Sequence, residues 1–244
     1  MNDQDRQSAR AIRGTHMAVV RESFVREVES SEARQRLRAF LTPDVEDAIR
    51  GQMAEWLSDA VLALRVTETS LREVLGAGRF KAQGETGSPT PHRSADLERS
   101  IWTVDTKDPA DLPVYGYAAT LGDVRDIDGG DATRRTLRDT FGSARVILND
   151  SLRGRTTFTM HDSRSLLESR AVAPSPITAP SHLSWPPEGD FKRKNLDWCG
   201  ANEFFELQIL GGVYVDDIAQ VLFDWEPAQV TKDALGDVPF AVSD

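Results

Sequence analysis

Ala201-Asn202-Glu203-Phe204-Phe205-Glu206-Leu207-Gln208-Ile209-Leu210-Gly211-Gly212 is the stretch on which the fold turns. Read at a strand's period of two, Phe205, Leu207 and Ile209 fall on one face, and Phe204, Glu206 and Gln208 on the other. The first face suits a core. The second carries a carboxylate in the middle of an apolar run, and an ionised carboxylate is costly to bury without a partner. Two glycines then end the strand. The pattern fits an edge strand with one wet face. It equally fits a strand that floors a cleft in which Glu206 does chemistry.

The rest of the chain bounds the choice. Its 244 residues suffice for one large domain, or for a domain of ordinary size with an appendage. A hydrophobic share of 39% beside 28% charged residues can form a real core. The net charge of −10 argues against general binding to nucleic-acid backbones, though not against a local basic patch. A single cysteine, Cys199, excludes an internal disulfide and a cysteine metal cluster. No apolar run reaches the roughly 20 residues of a membrane span. The first 14 residues are polar with mixed charge, unlike a secretory signal. Asp126, Asp128 and Asp131 do not complete a calcium loop, and no metal site is expected.

Upstream, the pattern is helical. Residues 23–40 space Phe24, Val25, Val28, Leu37 and Phe40 among charges. Thr42-Pro43-Asp44 is a helix start: a capping hydroxyl, proline in the first turn, then an acid favourable to the helix dipole. The spacing of Val45, Ile49, Met53, Trp56, Leu57, Val61, Leu62 and Leu64 predicts one amphipathic helix of about 20 residues. Residues 67–75 predict a shorter helix, stopped by Gly76-Ala77-Gly78. Residues 1–75 thus read as a helical region without a catalytic constellation.

Strand signals follow. Arg79-Phe80-Lys81-Ala82-Gln83-Gly84-Glu85-Thr86-Gly87 is a short strand running into a glycine-bearing loop that suits a phosphate. Residues 112–121 predict a strand with Tyr115 and Tyr117 on one face, and residues 144–148 another. In Arg155-Thr156-Thr157-Phe158-Thr159-Met160-His161-Asp162-Ser163, Thr157, Thr159 and His161 share a face. Plain β-propensity explains such a rack of hydroxyls, and so does a polar cleft. Residues 171–190, with five prolines, read as a loop, and Lys192-Arg193-Lys194 is the only dense basic run. Strands at 213–215 and 221–225 close the sheet, and a polar tail follows, set at 231–244 as a segment of its own.

Taken in order, the Arg79–Gly87 segment, Val114-Tyr115-Gly116-Tyr117, the Arg155–Ser163 strand and the Glu206–Val213 run resemble mono-ADP-ribosyltransferase-like toxins and effectors, in a branch found among bacterial polymorphic toxins and phage-associated proteins. The resemblance covers residues 70–225. It implies an α+β chain: an N-terminal helical lobe, then a split, mostly antiparallel β-sheet of the ADP-ribosyltransferase type over residues 76–230. It implies nicotinamide adenine dinucleotide, NAD, as substrate. NAD contacts would come from Arg79, Lys81, Gln83, Thr86, Tyr115, Tyr117 and Arg155. Glu206, with Thr157 and Thr159, would be catalytic, its charge stabilising the cation-like sugar formed as nicotinamide leaves. ADP-ribose would pass to an unknown protein or nucleic-acid acceptor, and an immunity protein would be a further partner. The chain would act in the cytoplasm or after delivery into a target cell without a standard signal peptide.

One departure matters. Arginine-modifying members carry a second glutamate two residues before the catalytic one, where this chain has Phe204. Glu203 lies on the opposite face unless a bulge intervenes. That leaves open a different acceptor, hydrolysis of NAD by water, or a non-catalytic binding or phage-structural module on a degenerate transferase fold.

Overall fold

The structure is a computed structural model that describes residues 43–82, 85, 113–119, 142–160, 175–177 and 205–242. Helix α1 (Pro43–Asp59) begins at the expected proline. It ends sooner than the hydrophobic spacing predicts. Val61–Val66, expected to continue the helix, is strand β1. The run Val61-Leu62-Ala63-Leu64-Arg65-Val66 satisfies a period of two as well as one of 3.6, and pairing on both of its edges decides for the strand. Arg153 helps close the helix, donating to the carbonyls of Leu57 (2.7 Å) and Ala60 at its C-terminal end.

Helix α2 (Glu68–Ala77) is punctuated as its sequence demands. The Thr67 hydroxyl accepts from Ser70 N at 3.1 Å. Gly78, at φ 80°, ends the helix in the left-handed conformation, and its N–H donates to Val74 O at 2.8 Å. The strands then follow in order: β2 (Arg79–Phe80), β3 (Val114–Ala119), β4 (Ala144–Leu148), β5 (Thr156–Met160), β6 (Ser175–Pro176), β7 (Phe205–Ile209), β8 (Val213–Tyr214), β9 (Ile218–Phe223) and β10 (Phe240–Val242). Helix α3 (Gln229–Leu235) lies between the last two.

Eight strands form one sheet in the order β10-β9-β4-β1-β3-β7-β5-β6, and β2 pairs with β8 in a second, two-stranded sheet. Every described pairing is antiparallel except that of β9 with β10. With its helices, the chain is α+β. Residues 61–75, read from sequence as part of the helical region, supply a central strand and most of helix α2. The polar C-terminal stretch, expected to be a tail, supplies α3 and an edge strand. Part of the proline-bearing loop is strand β6, and Ile177 after it is buried.

The larger sheet has two unlike faces. On the first, Leu62, Val146, Phe158, Phe205, Leu207 and Val221 join Leu57 of α1, Leu71 of α2 and Leu235 of α3 in the main core. Trp56 stacks on Phe205 with ring centroids 4.8 Å apart, and Phe158 meets Phe205 edge-on at 5.6 Å. Gly116 belongs to this face. A Cβ there would lie 2.6 Å from Ala63 O and 2.8 Å from Leu64 Cδ2, so β1 and β3 approach closely only because the residue is glycine. On the second face the apolar cluster is small, with Ala63, Tyr117, Ile147 and Leu222 at its centre, and no described helix contributes to it.

Candidate functional site

Strand β7 is an interior strand between β3 and β5, not an edge. Glu206 is therefore not on a wet margin: it is 6% exposed, and Gln208 is fully buried. Cross-strand register puts Tyr117 opposite Glu206 on one side and Thr159 on the other. The next row aligns Tyr115, Gln208 and Thr157. The structure thus gathers the candidates Glu206, Thr157, Thr159, Tyr115 and Tyr117 on the second face, as the period of two requires.

These side chains are tied together through Gln208. Thr157 Oγ1 donates to Gln208 Oε1 at 3.0 Å. Gln208 Nε2 donates to Thr159 Oγ1 at 3.0 Å and to Glu206 Oε1 at 3.2 Å. Thr157 and Thr159 are fully buried, so these are bonds made away from water. The amide donor fixes the direction of the Glu206 carboxylate.

Beyond Tyr117 the same face carries charge. Arg65 on β1 lies opposite Arg145 on β4. Arg145 pairs with Asp224 at 2.9 Å, with side chains 0% and 1% exposed. Arg65 is half-buried, and its Nη1 reaches Gly142 O at 3.5 Å. The Tyr117 hydroxyl is buried, with no partner of hydrogen-bonding geometry among the described residues. Burial raises its pKa; the charges of Arg65 and Arg145, and a weaker hydrogen-bonding influence of Arg65, oppose this, and Asp224 adds to it. A polar band therefore runs from Asp224, just past β9, across β4, β1, β3, β7 and β5: Arg145, Arg65, the two tyrosines, then Glu206, Gln208 and the threonines.

The other candidates lie elsewhere. Arg79 sits in the two-stranded sheet opposite Tyr214. Its Nη1 donates to Glu85 at 2.8 Å, and the same carboxylate accepts from Ala82 N. The Arg79 hydrogen bond holds the Glu85 carboxyl below the usual range against the opposing effect of burial. Lys81 is exposed. Arg155 serves the turn after β7: it donates to the carbonyls of Leu210 and Gly212 and pairs with Asp217 at 3.3 Å. Asp217 in turn accepts from Tyr214 N at 2.8 Å. Gly211 and Gly212, at φ 77° and 76°, make that turn possible. Gln83, Thr86, His161, Cys199, Phe204, the acidic loop and the 192–194 run lie outside the described residues, as do the helices expected before residue 43.

Sequence reasoning passed over Arg65, Arg145, Asp224 and the linking part of Gln208. A signal for the first two was present. Each is a cation inside an apolar strand, the same anomaly that marks Glu206. No helix among the described residues is long and apolar enough to cross a membrane. No protein-family model matches the chain, and no curated protein matches it.

Proposed function

We propose that the chain is an NAD-dependent mono-ADP-ribosyltransferase, acting as a bacterial toxin or effector, that breaks the nicotinamide–ribose bond and passes ADP-ribose to a macromolecular acceptor. The observation that carries this reading is Glu206: a buried carboxylate on an interior strand, oriented by the Gln208 amide and flanked by Thr157 and Thr159. As the C–N bond breaks, the positive charge of the pyridinium ring passes to the ribose and nicotinamide leaves neutral; a carboxylate preorganised at the ribose favours charge there more than charge on the departing ring. Arg65 would serve the diphosphate, which makes it a better candidate on this face than Arg79, whose guanidinium is engaged by Glu85. Tyr117 and Tyr115 would line the same band.

Phe204 favours a second reading on the same chemistry. It supplies no group to activate an acceptor, which suits hydrolysis of NAD by water or an acceptor other than arginine. The test is nicotinamide release from NAD by the purified wild type and by Glu206→Gln, with and without cell lysate. Release by wild type, lost in Glu206→Gln with NAD affinity kept, is the expected result. Dependence on lysate indicates transfer; independence indicates hydrolysis. No release and no NAD binding under either condition would turn the reading to a non-catalytic binding module.

A further inference from the structure

Gln208 touches every catalytic candidate on strands β5 and β7. It is fully buried and stands two residues after Glu206, on the same face. A glutamine amide has an acceptor oxygen and two N–H donors. Here the oxygen takes the Thr157 hydroxyl at 3.0 Å, and the nitrogen serves Thr159 Oγ1 at 3.0 Å and Glu206 Oε1 at 3.2 Å. Turned over, the amide would set its oxygen against the carboxylate. Two acceptors would then meet in a buried site, which is unfavourable. The ionised carboxylate thus selects the orientation of the amide, and the amide selects the plane of the carboxylate.

We infer that Gln208 is the positioning residue that orients Glu206 and keeps it ionised, with Thr157 and Thr159 acting through the amide. The threonines then have no direct part in bond breaking. The carboxylate, an acceptor only, sets which end of Gln208 faces it, and the hydroxyls, which can donate or accept, complete the hydrogen bonds of the amide and hold it there. Facing Glu206, β3 brings the Tyr117 phenol, β1 beyond it Arg65, and β5 the Thr157 and Thr159 hydroxyls. The catalytic consequence of this inference rests on the transferase reading, but the effect on Glu206 itself does not.

The experiment uses the full chain with Gln208→Met, which keeps length and removes both donor and acceptor, and Gln208→Glu, which keeps shape but replaces the amide donor by a second acid that donates only when protonated. Nicotinamide release should fall about 10- to 100-fold in kcat, while the Kd for NAD stays within about threefold. The titration midpoint of the Glu206 carboxyl carbon, followed by NMR with labelled glutamate, should rise by about one pH unit or more in Gln208→Met. An unchanged kcat and midpoint overturn the inference. So does a rate loss that merely follows a fall in melting temperature with the midpoint unmoved. If Gln208→Met does not fold, Thr157→Val tests the same link more mildly, and an unmoved midpoint there overturns it too. If wild type releases no nicotinamide, the transferase reading fails, and the titration alone decides the role of Gln208.

Discussion

Breaking the Arg145–Asp224 pair should destabilise the protein strongly, whereas replacing both partners should not. The two side chains are 0% and 1% exposed and meet at 2.9 Å. Unit charges about 4 Å apart attract by about 4 kcal/mol at an effective dielectric of about 20, and that attraction offsets the desolvation of both groups. Asp224→Asn removes the attraction and leaves the guanidinium in place, so the expected loss is about 3–5 kcal/mol. Arg145→Met with Asp224→Leu removes both charges and should recover most of that loss. Urea unfolding of the wild type, Arg145→Met, Asp224→Leu and the double variant gives the coupling as a double-mutant cycle. The coupling should be at least about 2 kcal/mol and should persist in about 0.5 M salt, because a pair this buried is poorly screened. Tyr117 supplies an independent reading. Asp224 raises its pKa, while Arg65 and Arg145 lower it, so Asp224→Asn should move the phenol downward in an ultraviolet titration. The reasoning is refuted by an Asp224→Asn loss below about 0.5 kcal/mol, or by coupling that salt abolishes.

Two further outcomes follow from the same geometry. Gly116→Ala places a methyl 2.6 Å from the Ala63 carbonyl, which is backbone and cannot swing aside. The expected cost is about 2–3 kcal/mol, or roughly 5–10 °C in Tm, and an unchanged melting curve would show that β1 and β3 part freely there. The Arg79–Glu85 pair should stabilise the fold only while Glu85 is ionised. Its folded pKa is lowered by the Arg79 hydrogen bond, so its contribution is present above the ordinary carboxylate value of 4.5 and is lost as pH falls through the lower folded value. Arg79→Gln should therefore lower the urea midpoint at about pH 7, and that difference should shrink in acid, as pH falls below 4.5 and through the lower folded value. An undiminished difference in acid would mean that packing, not charge, is what Arg79 supplies.

Much of the local structure was legible from the residues. The faces of β7 follow from Phe205, Leu207 and Ile209 alternating with Glu206 and Gln208. Helix α2 lies between its Thr67 cap and its Gly78 stop. Strands β3, β4 and β5 fall within or on the stretches expected of them. These signals are local: side-chain period, capping groups and glycine conformation act over a few residues. The errors are local ambiguities resolved by distant partners. Val61–Val66 fitted a helix until β3 and β4 were seen on its two edges. The C-terminal residues looked like a polar tail, yet Phe240–Val242 pairs in parallel with Val221–Phe223. Three residues of strand have too little pattern to announce themselves.

The candidate site divides in the same way. By itself, the sequence determined that Glu206 was anomalous, that Thr157 and Thr159 shared a face, and that the two tyrosines did so on their own strand. Each conclusion needs only alternation along one strand. Tertiary structure decided that β7 lies between β3 and β5, which buries Glu206 rather than wetting it. It decided that Gln208 joins the threonines to the carboxylate. It also decided that the cations sharing that face are Arg65 and Arg145, while Arg79 serves a separate two-stranded sheet. The physical reason is register. Which residues stand opposite one another depends on hydrogen-bonded ladders between segments as far apart as residues 117 and 206, and their alignment is set by burial across the whole sheet.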